Sequence, residues 1–105
     1  MPYEIILAPE AAEDLEELKA NVRAKVRDGL GIHLRHEPSK TSRSRIKRLR
    51  KMSQPQYRLR LDDVRVFYDV SGNTVEVLAF VLKSEAATWL AKFGKVELGK
   101  YRLRR

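Results

Sequence analysis

The stretch from Gln56 to Lys83, QYRLRLDDVRVFYDVSGNTVEVLAFVLK, constrains the fold more than any other part of the chain. Runs rich in Val, Leu, Phe and Tyr are punctuated by turn formers. That pattern predicts a three-stranded meander: Tyr57–Leu61, a turn at Asp62-Asp63, Val64–Val70, a turn over Ser71 to Thr74, then Val75–Leu82. The first two runs alternate with period two, so each has two distinct faces. A two-residue loop at Asp62-Asp63 sets Leu61 opposite Val64, Arg60 opposite Arg65, Leu59 opposite Val66 and Arg58 opposite Phe67. Tyr57, Leu59, Leu61, Val64, Val66, Tyr68 and Val70 then share an apolar face, and Arg58, Arg60 and Arg65 share the other. Like charges opposed across a ladder destabilise it, so the trio reads as a seat for an anion. The ordinary alternative is that two of the three pair with Asp63, Asp69 or Glu76 as surface ion pairs.

The charge distribution favours an anionic partner. Residues 1–34 hold four Lys/Arg against seven Asp/Glu, net −3; residues 35–60 hold ten against one, net +9; residues 61–105 hold eight against six, net +2. A contiguous basic block is the electrostatic footprint of a nucleic-acid binder or of a partner to an acidic chain. Within it, Lys40, Arg43, Arg45, Lys47, Arg48, Arg50 and Lys51 are candidate phosphate contacts, which supply affinity without sequence information. With 105 residues, 43% of them hydrophobic, the chain suits one domain with its own core. No run approaches the ~20 apolar residues of a membrane span and no basic-then-apolar leader opens the chain, so the expectation is a cytoplasmic protein. There is no cysteine, and His33 and His36 are too few for a protein-only metal centre. No metal or cofactor is expected.

Elsewhere, Tyr3–Leu7 reads as a short strand and Pro9, followed by Glu10, Glu13 and Asp14, as a helix start. Ala11, Leu15, Leu18, Val22, Val26 and Leu30 recur at spacings of three and four, giving one apolar stripe. One long helix or an antiparallel pair broken near Ala20-Asn21 both fit; the pair is favoured because a single helix would overhang so small a sheet. Pro38 stops it. Ile46 and Leu49 give the end of the basic loop an extended, packed character, and Gln54 to Gln56 read as a turn. Ser84 and Glu85 suit the start of a short helix carrying Ala86, Trp89, Leu90 and Phe93 and ending at Gly94, with Trp89 and Phe93 as core plugs. Residues 95–105 form a basic tail, expected to be mobile or to add charge to the binding face. The predicted fold is α+β: a small antiparallel-rich sheet, an N-terminal helical hairpin on one face, a short C-terminal helix, and the other face open.

Leu49-Arg50, Tyr57-Arg58-Leu59-Arg60-Leu61 and Val64-Arg65-Val66-Phe67-Tyr68-Asp69-Val70, with Val75–Lys83 after them, resemble the RelE/ParE superfamily of type II toxins and its Y-R-x-R and Y-R-V-x-Y-x-V signature. The resemblance extends to the helical hairpin and the first strand. It implies a small toxin neutralised by an acidic antitoxin. In the RelE branch the toxin enters the ribosomal A site and cuts mRNA through attack of the 2′-hydroxyl on the adjacent phosphate. In the ParE branch a similar fold inhibits DNA gyrase and cuts no RNA. Arg58 and Arg60 match positions often held by lysine in RelE-type toxins, and Arg65 matches the arginine on the next strand. A further arginine followed by tyrosine or histidine, usual after the last strand in that branch, is not matched by Lys83-Ser84 and Trp89-Leu90.

The departure matters because arginine stays protonated and is a poor general base. Lys83, Glu85, His36 and Tyr101 are the candidates for that role, although strand parity sets Lys83 on the apolar face. The resemblance therefore implies a ribosome-dependent mRNA endoribonuclease with Arg58, Arg60, Arg65 and Lys83 as its catalytic set, and mRNA, rRNA and an acidic antitoxin as partners. A gyrase inhibitor, or a degenerate toxin that only binds RNA or antitoxin, are the alternatives.

Overall fold

The computed structural model describes residues 2–96. The basic end of the tail, 97–105, and Tyr101 with it, lie outside the described residues. Strands β1 (Glu4–Leu7), β2 (Ile46–Arg48), β4 (Tyr57–Leu61), β5 (Val64–Ser71) and β6 (Thr74–Leu82) form one sheet in the order β1-β6-β5-β4-β2, while β3 (Met52–Gln54) pairs with β7 (Lys95–Val96). The helices are α1 (Pro9–Glu17), α2 (Ala20–Leu34) and α3 (Ala86–Phe93), the last preceded by a 3-10 turn at Lys83–Glu85. The α+β architecture is the predicted one. β1 joins at an edge, parallel to β6, and every other pair in the large sheet is antiparallel.

Asp62, at φ 52, takes the left-handed conformation that a two-residue hairpin loop requires and that Asp tolerates. The loop length fixes the register: Leu61 faces Val64, Arg60 faces Arg65, Leu59 faces Val66 and Arg58 faces Phe67, as the alternation predicts. Leu59, Val64, Val66 and Tyr68 pack with Val75, Val77 and Phe80 beneath Ala11 and Leu15 of α1 and Val26, Leu30 and Leu34 of α2. Each of the larger side chains contributes roughly 1.5–3 kcal/mol by leaving water. The helical hairpin breaks at Leu18-Lys19, not at Ala20-Asn21, because Leu18 leaves the helix in an extended conformation and packs against the core. Gly29 of α2 is buried where an added Cβ would lie 2.8 Å from the Leu61 side chain, so it permits the helix to approach the sheet.

The second face is not open. Phe67, Ala79 and Val81 form a separate buried cluster under Leu49, Ala86, Trp89 and Leu90, so α3 covers the middle of that face. Trp89 stacks on Phe67 with centroids 4.9 Å apart and planes 4° from parallel, which bears out the plug, whereas Phe93 stays 56% exposed. Ser84 does not cap α3, which begins one residue after Glu85. Gly94 ends α3 in an extended conformation; its Cβ would collide with Met52 and with the Leu90 carbonyl, so packing explains the glycine. Gln54 belongs to β3, and its side chain, with the Gln56 backbone N–H, donates to the Asp69 carboxylate at 2.8 Å each.

One irregularity positions the candidate site. The β5–β6 register shifts between Phe67, opposite Ala79, and Tyr68, opposite Val77, leaving Leu78 as an extra residue. A bulge of one residue reverses alternation. Val75 and Val77 face the helices, but Ala79 and Val81 face the other way. Strand parity therefore delivers Lys83 to the arginine face, the reverse of the expectation from uninterrupted alternation.

Candidate anion-binding site

Arg60 and Arg65 are directly opposed across β4 and β5, beside the Asp62-Asp63 turn. With Ser44, Arg45 and Lys83 they line a cleft of about 480 Å³ that also includes Asp62 and Asp63. Four cations meet two carboxylates there. Arg45 is held in place because its guanidinium donates to the Arg60 carbonyl at 2.8 Å and the Arg60 N–H donates back to the Arg45 carbonyl at 3.0 Å. Arg65 is only 6% exposed, and its guanidinium donates to the carbonyls of Asp62 at 2.7 Å and Val64 at 3.3 Å. The Lys83 N–H donates to the Asp63 carbonyl at 2.7 Å. The cleft's own cationic residues thus pin the turn that forms its wall.

Ion pairing does not account for the trio. Among the described residues the ion pairs are Arg23 with Glu16 and Lys40 with Glu37, and Asp69 is occupied by Gln54 and Gln56. Burial, then the repulsion of Arg65 and Arg60, lowers the pKa of Arg58; burial, then Arg60, lowers that of Arg65, with Asp63 opposing. Guanidiniums remain protonated through such shifts, so the site carries uncompensated positive charge. An entering phosphate relieves that repulsion and accepts paired N–H donors.

Arg58 lies deeper on the same face, half-buried, with its Nε sealed from solvent and without a hydrogen-bond partner among the described residues. Its strand neighbour is Lys47, on the same face. Arg48, one residue on, belongs to the opposite side: it stands over the Tyr57 ring at 5.4 Å and donates to the carbonyls of Leu49 and Gln56. The basic block is therefore divided. Arg45 and Lys47 extend the arginine face, Arg48 braces the backbone, Lys40 pairs with Glu37, and Arg43, Arg50 and Lys51 are exposed on the connections.

The sequence marks Asp62 and Asp63 as turn residues, and Asp63 as a possible ion-pair partner of the arginines; their place in the cleft follows from geometry, since a two-residue loop adjoins the cross-strand pair two positions back. His36 is exposed and Glu85 sits in the turn before α3, and neither lines the cleft. A cavity of about 680 Å³ lies between α2 and the end of the sheet. Leu18, Val22, Ile32, Leu61 and Leu82 give it an aliphatic floor, and its Lys19, Lys25 and Arg45 are outnumbered by Glu17, Asp28, Asp62 and Asp63, so it offers a phosphate no excess of cations. His33, on its rim, has a lowered pKa through burial and the nearby Arg45.

The small mixed sheet with its helical hairpin and short C-terminal helix matches the RelE-like toxin folds. Residues 5–87 match the family model described as ParE toxin of type II toxin-antitoxin system, parDE. A chain of the toxin-antitoxin complex RelBE2 from Mycobacterium tuberculosis superposes with a TM-score of 0.66 at 24% identity, over 78% of this chain and 99% of that one. A double mutant of the Escherichia coli toxin RelE in its free state gives 0.65 at 23% identity, over 98% and 100%. The archaeal RelE-RelB complex from Pyrococcus horikoshii gives 0.59 at 22%, over 79% and 97%. No curated protein matches the chain. The chain belongs to the ParE toxin family, within the RelE/ParE superfamily, and is the toxin of a type II toxin–antitoxin module. Among the described residues no helix is long and apolar enough to cross a membrane.

Proposed function

We propose that this toxin is a RelE-like, ribosome-dependent mRNA endoribonuclease. The observation that carries the reading is the opposed Arg60–Arg65 pair, in no ion pair among the described residues and beside Lys83 in one cleft. Attack of a 2′-hydroxyl on the adjacent phosphate builds negative charge on the phosphorane oxygens, and cations fixed before the reaction stabilise that charge at little reorganisation cost. Arg60 and Arg65 bind the scissile phosphate, Arg58 and Lys47 the backbone beside it, and Lys40, Arg43, Arg45, Arg50 and Lys51 add contacts to mRNA or rRNA. Arg48 serves chiefly to hold β2 against Tyr57. An acidic antitoxin neutralises this surface. The net charge of +8 and the resemblance to toxins solved as RelB–RelE complexes support that partner.

The test is cleavage of mRNA on programmed ribosomes. Wild type is expected to cut, and Arg65→Ala to lose at least about 100-fold in rate, the scale of a lost charge-stabilising donor, while still binding antitoxin. Uncut mRNA with wild type overturns the reading. A ParE-like gyrase inhibitor is the second reading, favoured by the family model matched and by an arginine face that lacks the usual tyrosine or histidine. DNA breaks with continued translation after induction would select it.

A further inference from the structure

Guanidiniums can hold and stabilise a phosphorane, but the attacking 2′-hydroxyl must give its proton to something else. In the cleft, the side chains built to accept one are the carboxylates of Asp62 and Asp63. We infer that Asp63 is the proton acceptor of this site, with Lys83 as the donor to the leaving 5′-oxygen. The inference rests on the cleavage reading above.

Several features separate Asp63 from its neighbour. Turn chemistry explains Asp62, whose φ of 52 favours Asp, Asn or Gly; it requires no acid at position 63. Asp63 is the acidic group whose charge acts on Arg65, so its carboxylate stands within electrostatic reach of the phosphate-binding guanidinium. Its carbonyl accepts the Lys83 N–H at 2.7 Å, and the two residues also share a smaller cavity with Leu82 and Ser84. Asp63 and Lys83 nevertheless form no ion pair, and no hydrogen bond engages either side chain among the described residues. Both side chains are thus available to a substrate. A carboxylate in a cleft that binds phosphate also costs affinity through repulsion, which a purely binding surface gains nothing by keeping.

The proposed step balances. The 2′-hydroxyl proton passes to an Asp63 Oδ, the 2′-oxygen bonds to phosphorus, the bond from phosphorus to the 5′-oxygen breaks, and the Lys83 ammonium protonates that oxygen. The products are a 2′,3′-cyclic phosphate and a 5′-hydroxyl, and solvent returns Asp63 and Lys83 to their starting states.

Single-turnover cleavage on programmed ribosomes, with affinity measured in parallel, tests it on Asp63→Asn, Asp63→Glu, Glu85→Gln and Arg65→Ala. Asp63→Asn is expected to cut at least about 100-fold more slowly, the lower end of general-base contributions, while binding as tightly as wild type or more so. Asp63→Glu should recover part of the rate, and Glu85→Gln, an exposed carboxylate outside the cleft, should stay within about threefold of wild type, below the ~10-fold that 1.36 kcal/mol represents. Wild-type cleavage by Asp63→Asn, with Arg65→Ala inactive, overturns the assignment and leaves the cleavage reading intact. Parallel loss of affinity and rate in both Asp63 variants makes the residue structural and overturns it too. If wild type itself leaves the mRNA uncut, the cleavage reading fails and the assignment with it.

Discussion

Phe67 and Tyr68 are neighbours on β5, both fully buried, and they point to opposite sides of the sheet. Tyr68 belongs to the main core under α1 and α2, stacks on Tyr57 at 5.4 Å, and donates its hydroxyl to the Pro38 carbonyl at 2.7 Å. Phe67 belongs to a small cluster held down, among the described residues, by Leu49 and α3, one end of which runs into the arginines. The first side is built for stability throughout: apolar area is buried, and its polar atoms have partners. The second is divided between a modest apolar clasp and a charge arrangement that works against folding. A surface that spends stability on opposed cations is where selection for binding shows.

The sharpest way to break this comparison is Phe67→Ala. If the clasp is real, the loss should approach that of a core aromatic, about 3–5 kcal/mol in urea unfolding. Trp89, the single tryptophan, should shift its emission to the red as its stacking partner disappears. A cost below about 1 kcal/mol with unchanged emission would mean that α3 is not seated, because a large cavity cannot be that cheap. On the opposite side, Tyr68→Phe keeps the ring and removes one hydroxyl. Leaving the buried Pro38 carbonyl without its donor should cost about 1–3 kcal/mol. Burial holds the Tyr68 phenol well above its usual pKa, so this donor persists through neutral and mildly basic pH, and the difference between the two proteins should stay constant there.

The legibility of the two sides in sequence differs for physical reasons. The hairpin register was readable because a two-residue loop and strict alternation over Tyr57–Leu61 and Val64–Val70 leave one pairing that buries the apolar set. The cover on the second face was not foreseen, although the run VEVLAFVL held a signal: a nearly continuous apolar strand is one buried on both sides. That same continuity hid the bulge at Leu78, since a run with no alternation has none to break, and so Lys83 was assigned to the wrong face. Asp14 illustrates a limit of another kind. In sequence it is one more acid in a helix's first turns, yet its carboxylate accepts the Phe80 N–H at 3.1 Å where β6 runs past the end of β1, and burial raises its pKa despite that bond. Such a partner is set by tertiary placement, which neither periodicity nor propensity encodes.

The smallest expected effect is the most informative about the site. Arg60 is exposed and its side chain has no ion pair among the described residues, whereas Arg65 opposite it is buried and tied to the turn. Arg60→Gln should therefore remove repulsion without loosening the turn, and raise stability by up to about 1 kcal/mol, the scale of cross-strand charge terms. Added salt should stabilise wild type more than Arg60→Gln, because screening does to wild type what the substitution does to the variant. The same substitution should weaken binding to a polyanion. Stability gained and binding lost from one residue is the signature of a group placed for its ligand. If Arg60→Gln instead destabilises the protein and leaves salt dependence unchanged, the opposed guanidiniums are structural, and the distinction between a stabilising face and a binding face fails at the point where it was drawn.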